Sequence, residues 1–311
     1  MKYPKPKVEN GRVICPICSE DYADKSGYRY HYKKHHSGSE EVVAKDAIYE
    51  EYGLTKKQLD KVLRAKRQKN VKPLQIEIGE EYKFGAIADT HLCSKEEKLE
   101  ALHAFYKMCK DEGVTDIYHA GDVIAGQGVY RGQEYEIHTF GADNQVAYCA
   151  ENYPREEGVT THFILGNHDY IYYQQIGLDV GKAISEKRDD MNYLGVFEAD
   201  VKVGNTTLIR LIHPGGGMPY AMSYRMQKYV EQIASGKKPR IIVSGHQHTA
   251  MDFFYRNIYV LQAGCFEGQT MLILRKGINP VVGGYIVTVK LSNDNKKSIV
   301  SFTPDHRILE Y

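Results

Sequence analysis

The sequence predicts an α/β (α+β) chain: a layered-sheet domain over residues 79–311, preceded by two small pieces, 1–38 and 39–78. Three observations lead there. From Tyr82 onward, short apolar runs ending in polar clusters alternate with stretches of helical periodicity, as in a sheet covered by helices. After Met251 the chain turns strand-rich, with Gly283-Gly284 and a hairpin turn at Asn293-Asp294-Asn295. The charge also changes sign: residues 1–78 carry a net +6 and residues 79–311 a net −5. A basic front half joined to an acidic back half points to a polyanionic partner for the front.

In residues 1–38, Cys15-Pro16-Ile17-Cys18 is followed, after twelve intervening residues, by His31 and then by His35 or His36. A segment this short needs a staple to fold. The spacing resembles a two-Cys two-His zinc finger over residues 13–36. That resemblance implies one structural Zn held by Cys15, Cys18, His31 and His35, with His36 the alternative fourth ligand. Tyr22 and Tyr28 stand where such fingers place core apolar residues. The helix positions that would face bases are Asp24, Ser26, Gly27 and Tyr30. An acid and a glycine read bases poorly, so contact with nucleic acid and contact with protein both stay open.

Residues 39–78 read as two helices and a linker. Ala44, Ile48 and Tyr52 recur at helical spacing, and Gly53 breaks the pattern. Thr55 with Gln58 forms a capping box for a second helix whose apolar stripe is Leu59, Val62 and Leu63. Lys72-Pro73 marks the linker. The segment Ala47–Arg64 resembles a helix-turn-helix; a solvated amphipathic pair is the plain alternative. Residues 55–72 carry eight Lys or Arg against one acid, Asp60, an excess suited to tracking a phosphate backbone. The expected partner of this region is nucleic acid, DNA foremost.

In residues 79–311, apolar runs at 84–88, 116–119, 162–165, 207–212 and 240–244 predict strands. Helices are predicted near 95–112, 141–152, 177–189 and 219–234. The polar clusters fall at the ends of the runs: Asp89-Thr90-His91, Gly121-Asp122, Gly166-Asn167-His168-Asp169, His213, and Gly245-His246-Gln247-His248. Loops after the C-terminal ends of strands converge on one crevice in open α/β sheets. His, Asp and Asn arriving there together offer mixed N/O ligation, which suits Mn, Fe, Zn or Ni. Any one cluster alone reads as an ordinary turn or surface residue; five in this order do not.

That order resembles the calcineurin-like metallophosphoesterase superfamily across roughly residues 82–250. The resemblance implies a β-sandwich flanked by helices and two divalent ions, Mn first with Fe, Zn or Ni as alternatives. By the same resemblance, Asp89, His91, Asp122 and His248 hold one ion. Asp122, Asn167, His213 and His246 hold the other, with Asp122 bridging. His168 is then the catalytic, non-ligand histidine beside the scissile phosphate. Two departures narrow the branch. The text after Asp122, Val123-Ile124-Ala125-Gly126-Gln127, lacks the Asp-Arg-Gly of protein Ser/Thr phosphatases. Ala125 also stands where repair nucleases of the superfamily commonly carry a His. The glycines of His213-Pro214-Gly215-Gly216-Gly217 suit close backbone approach to a phosphate, with Arg225 as a candidate clamp.

The expected function is a two-metal phosphodiesterase, a DNA nuclease. A small-molecule phosphoesterase (cyclic nucleotide or nucleotide monoester) and a binding adaptor with a structural metal centre are the alternatives. Nothing approaches the ~18 apolar residues that cross a bilayer, and MKYPKPKVENGR is not a signal peptide. A soluble, cytoplasmic protein without membrane contact is expected. Six cysteines are too few and too scattered for a disulfide scaffold, so Cys93, Cys109, Cys149 and Cys265 read as buried thiols.

Overall fold

A computed structural model describes residues 6–9, 12–35, 73–76, 80–203, 207–217, 219–292 and 299–310. The chain divides into two compact units, Met1–Asn70 and Val71–Tyr311.

In the first unit, strands β1 (Lys7–Glu9), β2 (Arg12–Ile14) and β3 (Asp21–Tyr22) pair antiparallel in that order, followed by helix α1 (Lys25–His35). Asp24 starts the helix: its Oδ1 accepts the amides of Ser26 at 2.9 Å and Gly27 at 2.8 Å, satisfying donors that have no partner inside the helix. Val13, Cys15, Tyr28 and Tyr32 form a small core, with Tyr22 packed against it. The helix-turn-helix-like segment Ala47–Arg64 and His36 lie outside the described residues.

The second unit is a sandwich of two six-stranded sheets. One has the order β12 (Ala250–Tyr255), β13 (Ile258–Ala263), β11 (Ile241–Ser244), β10 (Thr207–Ile212), β9 (Glu198–Val203), β4 (Leu74–Ile76). The other runs β15 (Ile299–Glu310), β14 (Val282–Leu291), β5 (Glu81–Ile87), β6 (Asp116–His119), β7 (Thr160–Leu165), β8 (Met191–Val196). The helices are α2 (Leu99–Asp111), α3 (Ala142–Asn152), α4 (Asn167–Ile176), α5 (Val180–Lys187), α6 (Tyr224–Gln232) and α7 (Met271–Arg275).

Successive strand residues face opposite ways, so a strand covered on both faces must be apolar throughout. Tyr118 of β6 points into the sandwich with Phe84, Ile164, Val201, Ile209 and Val243. Its neighbour Ile117 points out, against Leu102 and Phe105 of α2 and beside Phe163. Burying each Phe this fully is worth about 1.5–3 kcal/mol. The outer face of the other sheet is covered by Met226 and Val230 of α6 over Ile242, Ile258 and Val260. This is the mixed α/β sandwich with flanking helices that the sequence predicts.

Several elements differ from expectation. Leu74–Ile76, read from the sequence as part of the linker, is an edge strand pairing with β9. The helix expected at 177–189 is the second of two; Gly177, at φ +75°, ends α4 before α5 begins. Within the strand-rich tail, the apolar run Met271–Arg275 is a short helix capped by Thr270, whose hydroxyl accepts the amide of Ile273 at 3.3 Å. Residues 293–298, which include the expected turn, are outside the described residues; β14 and β15 pair antiparallel on either side of them. Among the described residues, no helix is long and apolar enough to cross a membrane.

Candidate metal centre

Parallel pairing aims the strands at one edge. β5, β6 and β7 run parallel in one sheet, and β10, β11 and β13 in the other. Their C-terminal ends deliver Asp89 and His91, Asp122, Asn167 and His168, His213, and His246 and His248, each within four residues of its strand. Asp89, His91, Asp122 and His213 are buried to within 2% of completely.

Two donor sets result. In one, His91 Nε2 and His248 Nε2 face each other at 3.1 Å, with Asp89 Oδ1 3.7 Å and 3.5 Å away from them respectively. In the other, Asn167 Oδ1 lies 3.2 Å from His213 Nε2 and 2.9 Å from His246 Nδ1, and His213 Nε2 is 3.1 Å from Asp122 Oδ2. The same Asp122 oxygen is 3.8 Å from His91 Nε2, so it touches both sets. Asp89 Oδ1 is buried with no hydrogen-bond partner. A bare buried carboxylate oxygen facing two imidazole nitrogens is costly unless a cation joins them. The donors therefore fit the two divalent ions that the sequence pattern implies.

Outer contacts fix which nitrogen is free. His213 Nδ1–H donates to Ala120 O at 2.8 Å and His246 Nε2–H to Gly216 O at 2.8 Å, leaving the inward nitrogens as lone pairs. Asp89 Oδ2 accepts the amide of His246 at 2.7 Å. His168 Nδ1–H donates to Ala125 O at 2.7 Å, so its Nε2 is the free ring nitrogen. Burial, against the pull of Asp122, holds His168 down at about 4, so its imidazole is neutral. Burial works against charge on His213 too, but there Asp122 wins and raises it to about 9, so an ion entering the set must displace a proton from Nε2 to use that lone pair.

The backbone is strained where the ligands sit. Asp89, His91, Asp122, His246 and His248 all have φ between +42° and +81°, a region that costs non-glycine residues energy. Gly166 permits an approach that a side chain would block: a Cβ there would lie 2.1 Å from Asp122 Oδ1.

Asp169 is a clamp in this structure. Its carboxylate accepts the amides of Gly166 at 2.9 Å, Val123 at 3.2 Å and Ile124 at 2.9 Å, tying the loop after β6 to the loop after β7. Burial and the nearby Asp122 push it up to about 7. The glycine stretch after His213 acts through a carbonyl, that of Gly216, on His246. Arg225, the candidate phosphate clamp, instead donates to Gly217 O and braces that loop.

Glu267 was not among the expected site residues. Its carboxylate is 3.7 Å from His248 Nδ1 and 4.0 Å from His91 Nε2, and it is buried. It follows the apolar run Ile258–Ala263 as the other site residues follow theirs, and that was the available signal.

In the first unit, Cys15, Cys18 and His31 bring their ligand atoms within 4.8 Å of one another. Cys18 Sγ is 3.2 Å from His31 Nε2. His35 is exposed and lies outside that trio, its ring centroid 5.1 Å from that of His31.

The chain is 23% identical over 249 residues to the DNA polymerase II small subunit of Archaeoglobus fulgidus, covering 65% of this chain and 50% of that one. It thus spans about half the length of the curated relative it matches. Among solved structures, it resembles an archaeal phosphodiesterase at 12% identity and TM-score 0.41, over 72% of this chain and 99% of that one. It also resembles a zinc-complexed Vps29 from Entamoeba histolytica at 16% identity and TM-score 0.38, over 72% and 98%. The calcineurin-like phosphoesterase superfamily domain matches residues 82–275, the stretch that carries both donor sets. With more than half of its length in that match, the chain belongs to the calcineurin-like phosphoesterase superfamily.

Proposed function

We propose that this protein is a two-metal phosphodiesterase that cuts nucleic acid, DNA foremost. The observation that carries the reading is the pair of donor sets sharing Asp122 Oδ2, with His168 beside them. Divalent ions bound there, Mn first, supply Lewis-acid polarisation of the phosphoryl group and activation of water. Asp89, His91 and His248 would hold one ion and Asn167, His213 and His246 the other, with Asp122 serving both. His168 presents Nε2 to the phosphate. The approaching anion would raise its proton affinity; a proton taken from solvent would then pass to the leaving oxygen, while the attacking water releases its own to solvent.

Nucleic acid is favoured over a small ester by the net +6 of residues 1–78. The relative named a DNA polymerase II small subunit agrees with that choice. Cys15, Cys18 and His31, with His35 swinging in as fourth ligand, hold one structural Zn. None of the six cysteines is joined in a disulfide, which fits the cytoplasm.

The test is a Mn-supplemented assay on single- and double-stranded DNA, RNA, cyclic nucleotides and methyl p-nitrophenyl phosphate, with elemental analysis beside it. Cleavage of DNA, lost on removing residues 1–70 while the small diester is still hydrolysed, is expected. Cleavage of cyclic nucleotides alone would favour a small-molecule enzyme. Zinc content unchanged in Cys15→Ser would remove the finger.

A further inference from the structure

Beside the metal centre lies a cavity of about 200 Å³. One wall is the site itself, Asn167, His168, His246 and His248 among it. Glu267 and Thr270 line it too, and the remaining stretch holds no metal-binding group. It consists of Val129 and Tyr130 from the loop after β6, Leu272 and Ile273 of α7, and Ile278, with Lys276. Ligation chemistry gives no reason for an aromatic and aliphatic lining beside the donor sets.

The wall is built to a fixed position. The Tyr130 ring stands edge-on to that of His168, centroids 6.2 Å apart. Its hydroxyl donates to Glu136 Oε2 at 2.5 Å, and Glu136 Oε1 accepts the amide of Met271, the first residue of α7, at 2.5 Å. One carboxylate therefore joins the Tyr130 loop to the helix that carries Leu272 and Ile273. Gln133 Nε2 donates to Ala125 O at 2.7 Å, the carbonyl that also orients His168, so this loop and the catalytic imidazole share an anchor.

We propose that the cavity is a nucleobase subsite: it takes one unstacked base next to the phosphodiester at the metal centre, against Tyr130 and Leu272, with Lys276 meeting a neighbouring phosphate. This deepens the nucleic-acid reading and rests on it. The volume falls below the about 300–1,000 Å³ of pockets that bury drug-sized ligands, so it admits one ring system. Every base has a flat apolar face, and stacking against an aromatic residue tolerates any sequence. A paired base must first leave its stack, at a cost of a few kcal/mol. The substrate is therefore single-stranded or frayed nucleic acid, with little preference for base identity.

The experiment measures kcat/KM of the full-length, Mn-supplemented protein on three DNAs of one sequence: a single strand, its duplex, and a single strand with an abasic residue at the cut. The intact single strand should exceed both others by about tenfold or more, the size of one base stacking contact. Tyr130→Ala and Leu272→Asp should each shrink the intact-to-abasic ratio by about tenfold, whereas Tyr130→Phe, which keeps the ring, should retain most of it. Circular dichroism and melting temperature establish that the variants are folded. Equal rates on intact and abasic strands, or a Tyr130→Ala variant slowed equally on both, would overturn the subsite while leaving the nuclease reading in place. Hydrolysis of methyl p-nitrophenyl phosphate with no cleavage of any DNA would overturn both.

Discussion

Asp122 holds His168 from below: Asp122 Oδ1 accepts the His168 amide at 2.8 Å, while its Oδ2 faces the two donor sets. The residue whose carboxylate touches both donor sets thus also seats the histidine proposed to act on the phosphate. Asp122→Ala should therefore leave less than one ion per chain beyond the finger zinc by elemental analysis, and reduce hydrolysis to background. Retention of both ions would show that Asp122 is not their shared ligand.

His168→Ala separates binding from turnover. Its donor nitrogen lies within 4.8 Å of those of His91 and Asp122, but both donor sets are complete without it, so metal content should stay at the wild-type level. The rate should fall by about 10²–10⁴, the usual contribution of a positioned proton donor. A variant that loses metal but keeps its activity per bound ion would make His168 a ligand instead.

Backbone strain at the ligands predicts an inverted substitution order. His246 sits at φ +81°. In most positions alanine is the more stabilising replacement, because glycine costs more backbone entropy. Here a Cβ is penalised by roughly 1–2 kcal/mol. His246→Gly should therefore be more stable than His246→Ala by about 0.5–1 kcal/mol in chelator, once both effects are counted. Calorimetric melting of the two variants reads the difference, and an alanine variant more stable than the glycine one by about 0.5–1 kcal/mol, the ordinary entropy difference, would mean the site carries no strain.

Asp116 gives a pH-dependent test outside the site. Burial works to raise its carboxyl, but hydrogen bonds from His162 Nε2 at 2.8 Å and Thr115 Oγ1 at 2.7 Å outweigh it and leave the group below its usual value. A depressed carboxylate stabilises the fold above its unfolded pKa of about 3.9 and loses that contribution as pH falls through its lower folded value. Asp116→Asn should thus cost about 1–3 kcal/mol at pH 7 in urea unfolding. The gap should close at acid pH; a constant gap would assign the loss to packing.

Much of the site is legible in the sequence because ligands must follow strand ends, and short apolar runs mark strand ends plainly. The structure places Asp89, Asp122, Asn167, His213 and His246 at such ends. What the sequence hides has physical reasons. Gly166-Asn167-His168-Asp169 reads as a turn, yet Asp169 caps a helix there by accepting the Gly166 amide. Met271–Arg275 is apolar enough to pass for a strand, and only Thr270 betrays a helix start. Leu74–Ile76 is too short to show a period, and it becomes a strand because β9 offers an open edge. Glu267 has no His or Gly-Asp beside it to attract notice; parallel pairing of β13 with β11 brings it in. Those are consequences of tertiary context, which one-dimensional patterns do not carry.

The loop after β6 has a division of labour with an evolutionary consequence. Asp122, which must not move, stands three residues beyond its strand, whereas Tyr130 and Glu136 lie well out along the same excursion. Insertions accumulate in the outer reaches of loops far more readily than at strand ends. On the base-subsite proposal, exchanging 127–141 would change what the site accepts and leave the donor sets in place, so long as Gln133, which shares Ala125 O with His168, is kept. A graft of that stretch from another member of the superfamily would carry its donor's taste for substrate with it.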